Sequence, residues 1–203
     1  MNERILQRFL MIGCVFLLVG GIIGLLMADW SGRAPGDYET EVGGIRLESG
    51  KYDQALEQFD AALERSPDHR GAMMGRALVF VQTQQHDRAV AELTELIGFL
   101  ESTLDWEGDS TGVGVLAAAY ANRGIVHDRE SRFEDALEDY VSALRVDDGA
   151  VSGPGLFYKI LHDPQPSTVR DRARYIWEQL QKPEDERLMH DPKRDNRQRL
   201  YKP

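Results

Sequence analysis

Residues 50–67 read GKYDQALEQFDAALERSP, a turn followed by an amphipathic helix. Within this stretch Ala55, Phe59 and Ala62 recur at spacings of four and three residues, so they share one helix face. A helix with one wide apolar face needs a second element to cover that face. The segment therefore predicts a packed helical body.

The same order of residue types returns twice further along the chain, in residues 85–97 and 131–144. Each copy has a turn, an aromatic or histidine side chain, an acidic residue, and then an alanine followed by an aliphatic residue. Ala55 and Ala89 are 34 residues apart. A second helix is predicted before each of the three, over residues 38–49, 72–84 and 116–130. A period of this length made of helix pairs is typical of a solenoid, in which each pair buries its apolar face against the next.

The pattern of small and aromatic residues resembles the tetratricopeptide repeat family. In the first unit the resemblance is carried by Gly43, Gly50, Tyr52, Ala55, Phe59, Ala62 and Pro67. In the third unit it is carried by Gly124, Phe133, Ala136, Tyr140 and Ala143, and in the second, more loosely, by Ala77, Leu93 and Leu96. The resemblance implies an all-α fold with three helix pairs over residues 37–150. Because the family is defined by packing residues, it implies little about the task.

The period is broken once, since Ala136 follows Ala89 by 47 residues, 13 more than the repeat. We predict that residues 101–114, ESTLDWEGDSTGVG, form an insertion or an extended helix end with a glycine-rich loop. Trp106 lies in this stretch. We expect it to fold onto the core, with a binding contact as the alternative.

Residues 151–182 are predicted to be a pair of capping helices, which a solenoid needs to cover its last apolar face. The first is a short helix around residues 156–161, and the second has Ser167 as its N-cap. The apolar stripe of the second helix is expected to contain Val169, Ala173, Ile176, Trp177 and Leu180.

The last segment, residues 183–203, is predicted to be a basic tail on an acidic body. Residues 191–203 read DPKRDNRQRLYKP, in which five Lys and Arg outnumber two Asp. Three interpretations stay open: a disordered end, a docking peptide, or a segment lying against the chain's own acidic surface. For the docking peptide, the predicted contact residues are Arg197, Arg199, Leu200 and Tyr201.

Residues 9–28, FLMIGCVFLLVGGIIGLLMA, contain no charge. A helix of that length spans about 30 Å, the thickness of the hydrocarbon core of a bilayer. A cleaved signal peptide would have a shorter apolar region and small residues before the cut, and a lipoprotein reading at Cys14 leaves only four apolar residues before the cysteine. We therefore predict a single-pass signal anchor, preceded by a flank of residues 1–8 and followed by a linker of residues 29–36.

Positive charge on the flanks orients this anchor. Arg4 and Arg8 precede it, and the first twenty residues after it contain only Arg33 and Arg46 among several acidic residues, which count for little. This distribution favours a cytoplasmic amino terminus and a body outside the inner membrane, in the periplasm of a Gram-negative cell. A cytoplasmic body is the alternative. The chain is thus expected to be the membrane-anchored bacterial type of tetratricopeptide protein.

Small residues recur along one face of the predicted anchor, at Gly13, Gly20, Gly24 and Ala28. Such a row allows a second helix backbone to approach closely, so the anchor is expected to form homo- or hetero-oligomers through this face. The alternative is that glycine is simply common in membrane helices.

The 203-residue chain has a net charge of −10, which argues against nucleic acid as a partner. No metal-ligand spacing, cysteine pair or phosphate-binding glycine loop is present in the sequence. Paired carboxylates such as Glu138 and Asp139 are expected on the solvent side of a helix. We therefore predict no catalytic residue, no cofactor and no metal, and a protein that is not an enzyme.

What such a solenoid offers is a concave groove lined by the first helix of each pair. The family's groove positions fall here on Thr40, Gly44, Leu47, Met74, Leu78, Val81, Ala118, Ala121, Ile125 and Asp128. The resemblance implies that protein partners, as a peptide or helix, bind there; alternatively some of these residues pack against the cap or the insertion. The predicted function is a membrane-anchored scaffold or assembly factor, and the alternative is a permanent accessory subunit of a membrane complex.

Overall fold

In the computed structural model, residues 17–20, 33–152, 168–195 and 197–201 are described, and all of the regular structure in them is helical. Residues 17–20 are themselves helical. The longer elements are α1 (Asp37–Glu48), α2 (Tyr52–Arg65), α3 (Arg70–Gln82), α4 (His86–Thr103), α5 (Ser110–Arg129), α6 (Phe133–Asp147) and α7 (Val169–Leu180). A 3₁₀ turn (Glu184–Glu186) and the one-turn helix α8 (Pro192–Asp195) follow.

The helices pack in sequential pairs, α1 with α2, α3 with α4 and α5 with α6, and each pair packs on the next. The first helices of neighbouring pairs also contact each other, α1 with α3 and α3 with α5. Helix α7 packs on α6 and caps the array. The first helices therefore line one side of a helical solenoid.

An aromatic ring locks the first two pairs together. Phe59 on α2 is buried, and its ring lies against Gly43 on α1 and Gly75 on α3. A methyl group added at Gly43 would meet the ring at 2.6 Å, and one added at Gly75 would collide with the same ring. The third pair repeats the arrangement with Tyr140 against Gly124. The glycines are needed because a ring takes the space of a Cβ.

The turn inside each pair has a residue in the left-handed region. It is Gly50 in the first pair, with φ of 69°, and Gln84 and Ser131 in the others, with φ of 59° and 62°. Only glycine adopts this conformation without a steric cost. The repeat therefore keeps its turn geometry even where the sequence has replaced the glycine.

The extra residues between the second and third pairs lengthen two helices. Helix α4 continues to Thr103 and α5 begins at Ser110, so residues 104–109 are the whole connection. Asp109 caps α5 by accepting a hydrogen bond of 2.8 Å from the Gly112 amide. The expected glycine-rich loop is thus absent here, and Trp106, expected on the core, is 55% exposed.

The capping helix differs from its expected form at its N-cap and in which of its residues are buried. Its N-cap is Thr168, whose hydroxyl accepts a hydrogen bond from the Asp171 amide. Arg172 is buried, whereas Trp177, expected in the apolar stripe, is 55% exposed. The first predicted capping helix lies outside the described residues.

Asp139 on α6 corrects a further expectation. It is 3% exposed, where the sequence predicted a solvated carboxylate. Its two oxygens accept hydrogen bonds of 3.0 and 2.7 Å from the guanidinium of Arg123 on α5. A buried charge is tolerated in such a place because a paired donor replaces water.

No helix within the described ranges is both long enough and apolar enough to cross a membrane. The predicted anchor, residues 9–28, lies outside those ranges except for residues 17–20. Gly13, Gly24 and Ala28 of its row of small residues also lie outside them.

The packing at Phe59 predicts opposite effects for two glycine substitutions. We expect Gly75→Ala to lower the free energy of unfolding by about 1–3 kcal/mol, because the new methyl overpacks a buried ring. Gly98→Ala on α4, where no atom lies within 4 Å of the added carbon, should raise it by about 0.5–1 kcal/mol through helix propensity. Urea unfolding of both variants measures the difference. Equal effects of the two substitutions would contradict the close packing of the Phe59 ring against Gly75.

Candidate functional site

The concave side of the solenoid is closed rather than open. Seven of the predicted groove residues are almost completely buried: Met74, Leu78, Val81, Ala118, Ala121, Ile125 and Asp128. Leu47 is partly buried and packs beside the same core. Something must therefore cover these residues from the concave side.

Part of the cover is the capping helix. Ala121 and Ile125 of α5 belong to one apolar cluster with Val169, Ala173 and Ile176 of α7. The alternative in which groove residues pack against the cap thus applies to the third pair.

The rest of the cover is the chain's own carboxyl-terminal segment, residues 197–201. Leu200 packs against three apolar clusters, which contain Leu78, Ala121 and Val81 respectively. Tyr201 packs against the first two of these. The tail thus lies in the groove of its own solenoid.

A buried amide holds the main chain of the tail. Asn122 on α5 is fully buried, and its Oδ1 accepts a hydrogen bond of 2.8 Å from the Tyr201 amide. Its Nδ2 donates a hydrogen bond of 2.8 Å to the Tyr201 carbonyl, and lies 3.5 Å from the sulfur of Met74. Both partners of this amide in the tail are backbone groups. The contact therefore recognises an extended main chain rather than a particular side chain.

A buried ion pair closes the end of the groove. Asp128 on α5 and Arg172 on α7 are each 3% exposed. Arg172 Nε and Nη2 donate hydrogen bonds of 2.6 Å to the two oxygens of Asp128. This bidentate geometry is the one that best compensates the loss of water around both charges.

The same carboxylate connects α6 and the tail. Tyr140 on α6 donates its hydroxyl hydrogen to Asp128 Oδ2 at 3.1 Å. Gln198 of the tail donates to that oxygen at 2.7 Å and to the Tyr140 hydroxyl at 2.9 Å. Asp128 is thus the common acceptor for three elements.

Both tyrosines of this network keep their protons at neutral pH. Burial and the neighbouring Asp128 raise the pKa of Tyr140 well above its usual value, and burial raises the pKa of Tyr201. The Tyr201 hydroxyl oxygen accepts a hydrogen bond of 3.1 Å from the amide of Val169. Each phenol can therefore act as a neutral hydrogen-bonding group.

The contact between tail and groove leaves little free space. The cavity lined by Ile125, Tyr140, Val169, Arg172 and Tyr201, among others, has a volume of about 10 Å³. That is about one water molecule at most. At this place there is therefore no room for a further side chain between the tail and the groove.

The segment that leads into the tail follows α7. The Leu188 amide donates a hydrogen bond of 3.0 Å to the side chain of Gln179. Arg172 Nη2 donates to the Met189 carbonyl at 3.3 Å, and its Nη1 lies 3.1 Å from Asp195 Oδ1. The cap and the tail are thus linked through Arg172.

The structure separates the four predicted docking residues into two kinds. Leu200 and Tyr201 lie against the chain's own groove, whereas Arg197 and Arg199 are exposed. Contact of these residues with another protein stays a prediction. Of the three interpretations of the tail, a position against its own chain describes the structure, with an apolar and amide surface in place of an acidic one.

Three residues of the site were missed by the sequence reasoning: Asn122, Arg172 and Gln198. Asn122 had a local signal, because it is the single amide in the otherwise small and apolar face that starts at Val115. Arg172 and Gln198 had none, since their partner Asp128 is 44 and 70 residues away.

A second, open cleft of about 420 Å³ lies between the start of α3 and the end of α4. Two pairs of its polar side chains already contact each other, His69 with Asp37 at 2.9 Å and Arg70 with Asp109. Across the part of the chain that the structure describes, no group of three or more His, Cys, Asp or Glu is placed to hold a metal ion. The groove is therefore the candidate site.

Residues 45–100 match the family described as Tetratricopeptide repeat. The helix pairs and their ring-on-glycine packing agree with that match. The body has the tetratricopeptide repeat fold. A similar solved structure is the first tetratricopeptide repeat domain of Spaghetti (RPAP3), bound to the HSP90 peptide SRMEEVD.

That structure has a TM-score of 0.52 and 16% sequence identity, covering 73% of this chain and 94% of the other. At 16% identity, the similarity indicates a shared fold and nothing about a shared function. No curated protein matches this chain.

The buried ion pair predicts unequal effects for two arginines on the same helix. We expect Arg172→Met to lower the free energy of unfolding by about 3–5 kcal/mol, because it leaves Asp128 buried without its charged partner. Arg170→Met should cost less than about 1 kcal/mol, since Arg170 and its partner Asp148 are 55% and 50% exposed. Chemical denaturation of both variants gives the comparison. A loss at Arg172 as small as that at Arg170 would contradict the role assigned to Asp128.

Proposed function

We propose that this protein is a membrane-anchored tetratricopeptide scaffold that binds a segment of a partner protein in its concave groove. The observation that carries the proposal is the position of residues 198–201 in the groove. A non-helical peptide lies there with its main chain bound to Asn122 and its apolar side chains packed against the groove. The groove therefore has the chemistry of a peptide-binding surface.

The groove favours a particular charge in its ligand. The peptide bound by the Spaghetti domain, SRMEEVD, is rich in acidic residues. Here the closed end of the groove has a buried carboxylate, Asp128, and the tail that lies beside it is basic in sequence. Arg172 compensates the charge of Asp128, so this guanidinium at the closed end is not free to bind an acidic ligand. We therefore expect a partner segment that is neutral or, like the tail, basic.

The anchor would give this binding its location. Residues 9–28 are long and apolar enough in sequence to span a bilayer, and Arg4 and Arg8 favour a cytoplasmic amino terminus with the body in the periplasm. Confining the groove near the membrane raises the effective concentration of a bound segment beside a neighbouring complex. In this mechanism tethering is the activity, and the protein is not an enzyme.

A permanent accessory subunit is the second candidate, favoured by a different observation. Large apolar side chains away from the groove are exposed, among them Trp106 and Trp177 at 55% each. Exposed aromatic residues are typical of interface cores. A subunit of this kind would use the outer faces and keep the tail in its groove.

Site-specific photocrosslinking in native membranes distinguishes the two candidates. With the crosslinker at Leu47, beside the groove, the scaffold predicts one captured partner, which Asn122→Ala should abolish. The matched position Gly98, on an exposed face of α4, should capture nothing. With the crosslinker at Trp177, a permanent subunit predicts capture of a partner at constant stoichiometry that Asn122→Ala does not change. That result would support the subunit and contradict the scaffold.

The proposed topology has its own test. In a Cys14→Ser background, Ser110→Cys places an exposed thiol at the start of α5. We expect a membrane-impermeant maleimide to label it in intact spheroplasts. Labelling only after lysis would place the body in the cytoplasm and contradict the proposed location.

A further inference from the structure

The segment that fills the groove is held mainly by contacts that another peptide could reproduce. Asn122 binds the backbone of Tyr201 through both of its amide atoms, and Val169 donates to a phenol oxygen. Leu200 contributes apolar contact alone. A different extended chain with an aliphatic residue followed by tyrosine could make the same set.

Departure of the tail would leave the groove intact. Asp128 keeps the bidentate hydrogen bonds from Arg172 and the hydroxyl of Tyr140 without any contribution from Gln198. The pairs of the solenoid are held by Phe59 and Tyr140 against their glycines, far in sequence from the tail. Release is therefore a local opening, which costs less than global unfolding.

Connection within one chain makes the tail a strong competitor. Its local concentration at the groove is on the order of millimolar or higher. A free peptide of the same sequence must therefore compete with an occupant that is always present. The apparent affinity for any partner would fall in proportion to the fraction of molecules whose groove is free of the tail.

We propose that residues 198–201, Gln-Arg-Leu-Tyr, are an intramolecular ligand that keeps the groove closed until a partner segment replaces them. The replacing segment is extended, has tyrosine after an aliphatic residue, and has an amide side chain three positions before the tyrosine. That amide takes the place of Gln198 between Asp128 and Tyr140. The inference rests on the proposed function, because it concerns the same groove.

We call residues 198–201, bound in the groove, the latch. The probe that tests it is a fluorescently labelled peptide with the chain's own sequence, residues 191–203. It is added to the full chain in detergent micelles, and binding is followed by anisotropy. The wild-type chain should bind it weakly, because its groove is occupied. The variant Leu200→Ser with Tyr201→Ala should bind it at least about tenfold more tightly, since its own tail no longer competes.

Two controls make the result specific. Adding Asn122→Ala to the tail variant should weaken peptide binding about tenfold, because two hydrogen bonds to the peptide backbone are lost. Leu188→Ser, which changes a leucine that is 69% exposed and follows α7, should leave binding as in the wild type. Circular dichroism of each variant verifies that the helices are retained.

Equal affinity of the wild-type chain and the tail variant, with both folded, would overturn the latch. So would a wild-type dimer that becomes a monomer on Tyr201→Ala, because the tail would then occupy the groove of a second copy. If the peptide binds as expected but no partner is crosslinked, the scaffold function is contradicted and the latch is supported. If a partner is crosslinked but the tail variant binds the peptide no more tightly than the wild type, the latch is contradicted and the scaffold function is supported.

Discussion

The ion pair between Asp128 and Arg172 is the contact on which the closed form of this molecule depends. It joins the last helix of the groove to the capping helix at 3% exposure on both sides. Two buried charges are stable only when each satisfies the other, so α7 must sit where its guanidinium meets Asp128. Arg172 also pairs with Asp195, shortly before the residues that cover the groove. The cap and the tail therefore share one electrostatic anchor.

This arrangement changes what the concave surface can do. An open apolar groove of this size would expose a patch of the kind that promotes association with other proteins. Here the patch is covered by residues 198–201, which bind Asn122 through their main chain, and the proposed latch makes this cover replaceable. In the function that we propose, the balance between a tethered occupant and a free partner would set when the groove binds, and the proposed anchor would set where.

Agreement between sequence and structure is closest where the determining contacts are local or repeated. The spacing of Ala55, Phe59 and Ala62 predicts the buried face of α2, and all three are buried. Differences arise where two interpretations of a residue are equally good locally. Trp177 and Arg172 are both compatible with a helix face, and burial of the arginine depends on a carboxylate 44 residues earlier.

By itself, the sequence determined the helices, their pairing and the repeat. The period of apolar residues acts within each helix, and the ring-on-glycine contacts join helices that follow one another in the chain. The positions expected to line the groove came from the resemblance to the tetratricopeptide repeat family. Only the tertiary structure decided that this groove is occupied, and by what. The deciding contact joins Asn122 to Tyr201 across 79 residues, and an amide that binds a backbone leaves no pattern in the side chains of its partner.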